Sequence, residues 1–300
     1  MKKFAKLSMA FTLIGLLTSC ASTQDNSTSV EGNKSAIEAN DSSSSEMVNL
    51  TFTDGNHYVG EYKDGEANGM GTLTFANGNK YVGEFKNDQM QGEGTFTAVN
   101  GDKYVGGFKE GMMEGHGTLR LASGLEYIGE FKDNQRDGEG TLTFENGNRY
   151  VGQFSENKMN GQGSFTFVNG TQYVGEFVDN NMDGQGTLNA VDGSQYIGEF
   201  TNNIREGKGT LILPDGTKYI GDFIDNKMSG EGEITFANGN KYVGDFIDGA
   251  MEGNGTLYLK DGVKYVGEFQ NSQLNGFGTM TYPNGEVYKG QFKNSQYIGE

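Results

Sequence analysis

From residue 58 onward the apolar and polar positions recur with a period of 23. A tyrosine stands at 58, 81, 104, 127, 150, 173, 196, 219, 242, 265 and 288, with no insertion between copies. Numbering each copy from its tyrosine, position 3 is Gly, position 5 is Phe or Tyr, and positions 12, 14 and 21 are Gly wherever the chain reaches them. Apolar residues at 1 and 5, then at 16 and often 18, have the period of two that marks strands, so positions 1–5 and 12–18 read as two strands with a polar turn between them. A second turn falls at positions 20–21, as in Asn77-Gly78, Asn100-Gly101 and Asp192-Gly193, and both prolines, Pro214 and Pro283, sit at position 19. Proline suits the first central position of a type I turn and glycine the left-handed residue after it, which predicts a three-residue loop with a G1 bulge. That loop sets Phe96 opposite Tyr104, Gly94 opposite Gly106 and Gly92 opposite Phe108; a two-residue loop would send Phe96 to the other face.

This register gathers the rings at positions 1 and 5 and the apolar residue at 16 on one face. The opposite face receives Val or Ile at position 2, acid at position 4 and Thr at positions 15 and 17. Each position-5 ring is predicted to tilt over a row of glycines, with Met at position 10 (Met90, Met113, Met159) folding from the loop as filler. The fold class is therefore all-β: an elongated antiparallel β-hairpin repeat array. About 22 strands exceed the ~10 of ordinary open sheets, so a twisted sheet or solenoid is expected. Val48–Gly55 resembles half a copy and is expected to cap the first edge, whereas the edge at Gly299-Glu300 reads as open to pairing with another chain.

The unit Tyr81-Val82-Gly83-Glu84-Phe85, its polar turn, Gly92-Glu93-Gly94-Thr95-Phe96 and the Asn-Gly turn resemble the MORN repeat. Eleven copies are counted, spanning Tyr58–Glu300. The resemblance implies a grooved antiparallel sheet and roles in membrane association, dimerisation or partner scaffolding. The family favours His just before the first Gly of the G-x-G; here that position carries Asn68, Gln91, Glu114, Asp137 or Ser229.

The N-terminus has a different composition. Lys2, Lys3 and Lys6 precede an apolar run from Met9 to Leu17, too short to span a bilayer. The run ends in Leu17-Thr18-Ser19-Cys20, which resembles a bacterial lipobox. The resemblance implies a lipoprotein signal peptide over 1–19, lipid attachment (diacylglyceryl, palmitate) at Cys20, and a mature protein anchored in the cell envelope, in the outer membrane or at the cell surface of a diderm. Residues 20–49, rich in Ser, Thr and Asn, read as a lipidated tether, and 50–300 as the repeat array.

Composition narrows the chemistry. Of 49 glycines, 43 belong to the repeat lattice or are Gly55. With one Cys and two His there is no disulfide framework and little basis for Cys- or His-based metal sites or catalysis. His57 and His116 occupy different repeat positions, and no nucleophile, phosphate-loop or metalloprotease motif occurs. No cofactor, metal site or catalytic residue is assigned, and the chain reads as non-enzymatic. Acids at loop positions 7 and 11, such as Asp133 and Asp137, read as a solvated rim in preference to a calcium site. Removal of Lys2, Lys3 and Lys6 takes the net charge from −17 to −20. Eight of the eleven position-4 residues are acidic, from Glu61 to Glu268, which excludes nucleic acid and repels anionic headgroups. Membrane attachment is therefore assigned to Cys20. The rings Tyr81, Phe85, Tyr104, Phe108, Tyr127, Phe131, Tyr150, Phe154, Tyr173, Phe177, Tyr196 and Phe200 form either core or a binding groove. The partners considered are an envelope protein or a second copy of the chain, with a glycan or lipid in the Tyr/Phe groove as the alternative.

Overall fold

The computed structural model describes residues 45–300. The leader, Cys20 and the tether as far as residue 44 lie outside the described residues. The described residues are strands joined by tight turns, with no helix, and they belong to two compact units divided between Lys158 and Met159.

The first unit holds ten strands, beginning with β1 (Glu46–Thr51), β2 (His57–Lys63), β3 (Glu66–Thr74), β4 (Lys80–Lys86), β5 (Gln89–Thr97) and β6 (Lys103–Lys109). Each pairs antiparallel with its neighbour in the chain. β1 covers the outer edge of β2, pairing Leu50 with Tyr58. This edge strand starts at Glu46, so residues 46–49 belong to the folded array and not to the tether. In the second unit thirteen strands, from Lys158–Thr166 to Gln296–Gly299, follow the same neighbour-to-neighbour pattern.

The turn between copies has the predicted form. Phe96 pairs with Tyr104, Gly94 with Gly106 and Gly92 with Phe108. Ala98 donates its N–H to the Asp102 carbonyl and Gly101 donates to Ala98, enclosing the three loop residues Val99, Asn100 and Gly101. Gly101 has φ +96°, the left-handed bulge residue that the loop requires.

The turn within a copy differs from the expectation. It is two residues long: Lys86 pairs with Gln89 across Asn87 and Asp88, whose φ values are 48° and 63°. Two successive left-handed residues define a type I′ hairpin, which Asn, Asp and Gly tolerate because their short side chains escape the clash that excludes larger ones. The second strand therefore starts at position 9. Met at position 10 is a strand residue facing the ring at position 5, as in the pair Phe85–Met90, and not a loop residue folded back.

The ladder inside each copy slips after position 3. Gly83 pairs with Gly94, but Glu84 pairs with Gln91, so Gly92 and Glu93 bulge out of their own hairpin while pairing normally with the next one. A bulge of this kind leaves orphaned backbone groups. The Tyr81 hydroxyl donates to the Glu84 carbonyl at 3.0 Å, and the Glu84 carboxylate accepts the Glu93 N–H at 3.4 Å on the other face. Tyr127 and Glu130, and Tyr196 and Glu199, repeat both contacts. The glycines complete the device. A Cβ at Gly94 would run into the Tyr81 ring and one at Gly92 into the Glu84 carboxylate, and Gly92 also has φ +62°. The tyrosine ring, rather than the phenylalanine ring, thus lies across the glycine row.

The core of each unit is an alternating column of rings. In the first, Tyr81 meets Phe85 at 5.1 Å and Phe108 at 4.9 Å, both edge-to-face. In the second, Tyr196 meets Phe200 at 5.1 Å and Phe223 at 4.9 Å in the same way. Edge-to-face contacts of this kind are worth about 0.5–1.5 kcal/mol each beyond buried area. Arg136 and Arg205 replace Met at position 10. The Arg136 guanidinium lies 5.7 Å from the Tyr127 ring centre and 5.6 Å from that of Phe154, and donates to the Asn157 carbonyl at 2.6 Å. Burial lowers its pKa to about 10.

Candidate functional site

The rings assigned to core or groove, from Tyr81 and Phe85 through Tyr196 and Phe200, are 0 to 5 % exposed. They are core, and no ligand groove is lined by them. The reason is the bulge: each tyrosine hydroxyl, left open as a group seeking water or a partner, is consumed by the carbonyl of position 4. Burial raises every one of these tyrosines above its ordinary pKa, to about 12 for Tyr196, where the nearby Arg205 charge pulls the other way.

The open surface is the opposite face. In the second unit it carries a groove of about 900 Å³. Its floor is bare backbone, the glycine pairs Gly198–Gly209 and Gly221–Gly232. One wall is mostly β-branched: Ile197, Ile220 and Val243, 40 to 46 % exposed, alternate with their cross-strand partners Thr210 and Glu233, the latter ion-paired with Lys241 at 2.8 Å. The other wall holds position 4 and its cross-strand partner at position 13, including Glu199, Lys208, Glu231 and Asp245. Sequence reasoning placed Val or Ile, acid and Thr on this face but assigned the candidate groove to the ring face. The signal available was the period-two alternation, which sets positions 2 and 4 on this face as two rows of side chains with the backbone of position 3 between them, while the glycines' own missing side chains lie on the tyrosine face.

The rim acids have a backbone role. Position-11 side chains accept the N–H of position 7 in the following copy: Asn202 donates to Asp183 at 3.1 Å and Asp225 to Glu206 at 3.1 Å. Asn, Gln, Asp and Glu all supply that acceptor, which accounts for the variety of residues before the G-x-G. Position 8 reaches back as well, since the Asn134 side chain accepts the Met113 N–H at 2.8 Å while its own N–H donates to the Met113 carbonyl at 3.1 Å. Among the described residues no group of three or more His, Cys, Asp or Glu is arranged to hold a metal ion, and no helix is long and apolar enough to cross a membrane.

In each unit, hairpins bonded one to the next, with one face their own core and the other open, define a β-hairpin repeat protein. The family model of the MORN repeat matches ten consecutive copies, residues 58–287, and the chain belongs to this family. The match does not include the incomplete eleventh copy from Tyr288. No curated protein matches the chain. Among solved structures, the TCP10 domain of Danio rerio CPAP in complex with a peptide of Danio rerio STIL is similar at 14% identity and TM-score 0.39, over 67% of this chain and 94% of that one. Virginiamycin B lyase from Staphylococcus aureus is similar at 12% identity and TM-score 0.14, over 84% of this chain and 71% of that one.

Proposed function

We propose that this MORN-repeat chain is a non-enzymatic scaffold of the cell envelope, anchored through lipid on Cys20 and binding protein partners along its repeats. The observation that carries the reading is uniformity: all ten complete copies spend their tyrosine and glycines on the same bulge, eight of them with an acid at position 4, so no copy offers the distinguished cluster that catalysis needs. What the copies do offer is a periodic open face, suited to an extended or repetitive partner. Eleven near-identical units, counting the incomplete last one, give such a partner many equivalent footholds. The alternative, a glycan or lipid held by the Tyr/Phe rings, loses its site because those rings are buried.

Fractionation of cells expressing the full chain tests the anchor. Cys20→Ala is expected to move the protein from the membrane to the soluble fraction; retention in the membrane would assign attachment to the repeats. Sedimentation together with affinity capture from envelope extracts tests the scaffold. A chain that stays monomeric and captures no protein would overturn it.

A further inference from the structure

We infer that the groove on the open face of the second unit takes a basic polypeptide in the polyproline II conformation, lying across the strands with a Lys or Arg at every third residue. The inference rests on the scaffold reading and names the chemistry of its partner.

Width comes first. Positions 2 and 4 of one strand are two residues apart, about 6.6 Å, so the trough over the glycine row is narrower than the 10–12 Å of a helix with its side chains. An extended backbone fits; a helix does not enter. Period comes second. A two-strand copy advances about 9.6 Å, and a polyproline II turn of three residues advances about 9.3 Å, so the two stay in phase over several copies. A flat β-strand does not, because its residues i and i+3 point to opposite sides.

Charge comes third. Position 4 is acidic in five successive copies of this unit: Glu176, Glu199, Asp222, Asp245 and Glu268. Among the described residues only Asp222 of these five has a cation, Lys208 at 2.6 Å, so the chain itself shows a lysine amine seated on this wall. Opposite stand the aliphatic side chains of Ile197, Ile220 and Val243, one per copy, with Thr210 and Glu233 between them. With three residues per turn, a bound segment turns one residue to the acids, one to the aliphatic side chains and one to solvent. The recognised pattern is basic, apolar, any residue, repeated; proline suits the apolar place because it fixes the backbone in advance.

The test uses the full chain and three labelled peptides of 15 residues, read by fluorescence anisotropy: a Lys-Pro-Gln triplet repeat, a peptide of the same composition with its lysines in one block, and the triplet repeat with Glu in place of Lys. The in-phase peptide is expected to bind about tenfold tighter than the blocked one, the sum of two to three exposed ion pairs, and to weaken with salt. The variant Glu199→Gln/Asp245→Asn/Glu268→Gln keeps a side-chain oxygen at every site, as the bulge N–H groups of Lys208 and Asn254 require, and is expected to lose that preference with its urea midpoint unchanged. Equal binding of the in-phase and blocked peptides, or preference for the Glu peptide, would overturn the inference. So would capture of an envelope protein that is indifferent to the triple variant, an outcome that leaves the scaffold reading standing.

Discussion

A single tyrosine does two jobs in each copy. Its ring fills the volume that two glycines leave empty, and its hydroxyl satisfies the position-4 carbonyl that the bulge orphans. Tyr127→Phe keeps the ring and removes the donor to Glu130, so the urea midpoint should fall by the equivalent of about 1–2 kcal/mol, the cost of an unsatisfied buried acceptor. Gly94→Ala attacks the same device from the other side. Its Cβ would overlap the Tyr81 ring, with Gly83 backbone directly opposite, and a loss of about 1–3 kcal/mol is expected in the same assay. An unchanged midpoint for Gly94→Ala would mean that the Tyr81 ring does not sit on the glycine pair, and one for Tyr127→Phe that the hydroxyl does not serve the bulge. The glycines and tyrosines were legible in the sequence as a lattice, but their mutual contact was not. Period-two alternation tells which face a residue occupies and not how a ring leans along it. That is why Phe85 was expected over the glycines and Tyr81 is found there.

The sequence marks one end of the hairpin more plainly than the other, for a physical reason. Between copies, Pro214-Asp215-Gly216 names its turn through proline's fixed φ and glycine's positive φ. Within a copy, Asn87-Asp88 adopts positive φ without glycine, and the polar residues Gln89 and Gln91 on either side of Met90 disguise the start of a strand. The slip at Gly92-Glu93 left no mark in the pattern either, because those residues pair in step with the following hairpin. The type I′ turn is also the joint between copies, which makes it testable. Asn134→Gly keeps the left-handed backbone but loses the side-chain bond to Met113, and should cost about 1 kcal/mol. Asn134→Val adds a β-branched residue at φ 66° and should cost more, by a further 1–2 kcal/mol or so. Equal effects in thermal melts would show that backbone strain plays no part. Arg136→Met restores the residue usual at position 10. Because a buried cation gives way to an apolar chain of similar length, stability should hold or rise.

Across the whole molecule the buried tyrosines act together on pH. A tyrosine whose folded pKa is raised binds its proton more tightly folded than unfolded, so stability is full below the unfolded value of 10 and falls as pH climbs toward the folded one. For Tyr58, Tyr219 and Tyr242 the folded value is about 12, with burial the leading cause. The urea midpoint should therefore show no tyrosine-linked loss up to pH 9 and drop steeply between pH 10 and 12, together with the appearance of tyrosinate absorbance. Tyrosinate forming near pH 10 while far-ultraviolet circular dichroism stays native would contradict the burial. The acid rows, first read as a statement about partners, turn out to serve the backbone as well. Composition alone could not separate these two uses of one carboxylate.

From the second copy on, the position-8 turn reaches backward, onto the copy made before it. Asn134 fastens to Met113, and Asn203 fastens to Met182, while neither reaches toward its successor through this bond. A chain leaving the ribosome would accordingly close one copy only when the tip of the next has emerged, about one copy later. Growth of the array is then vectorial, each newcomer locking its predecessor, and a nascent chain halted midway would expose a single unfinished hairpin at its growing end.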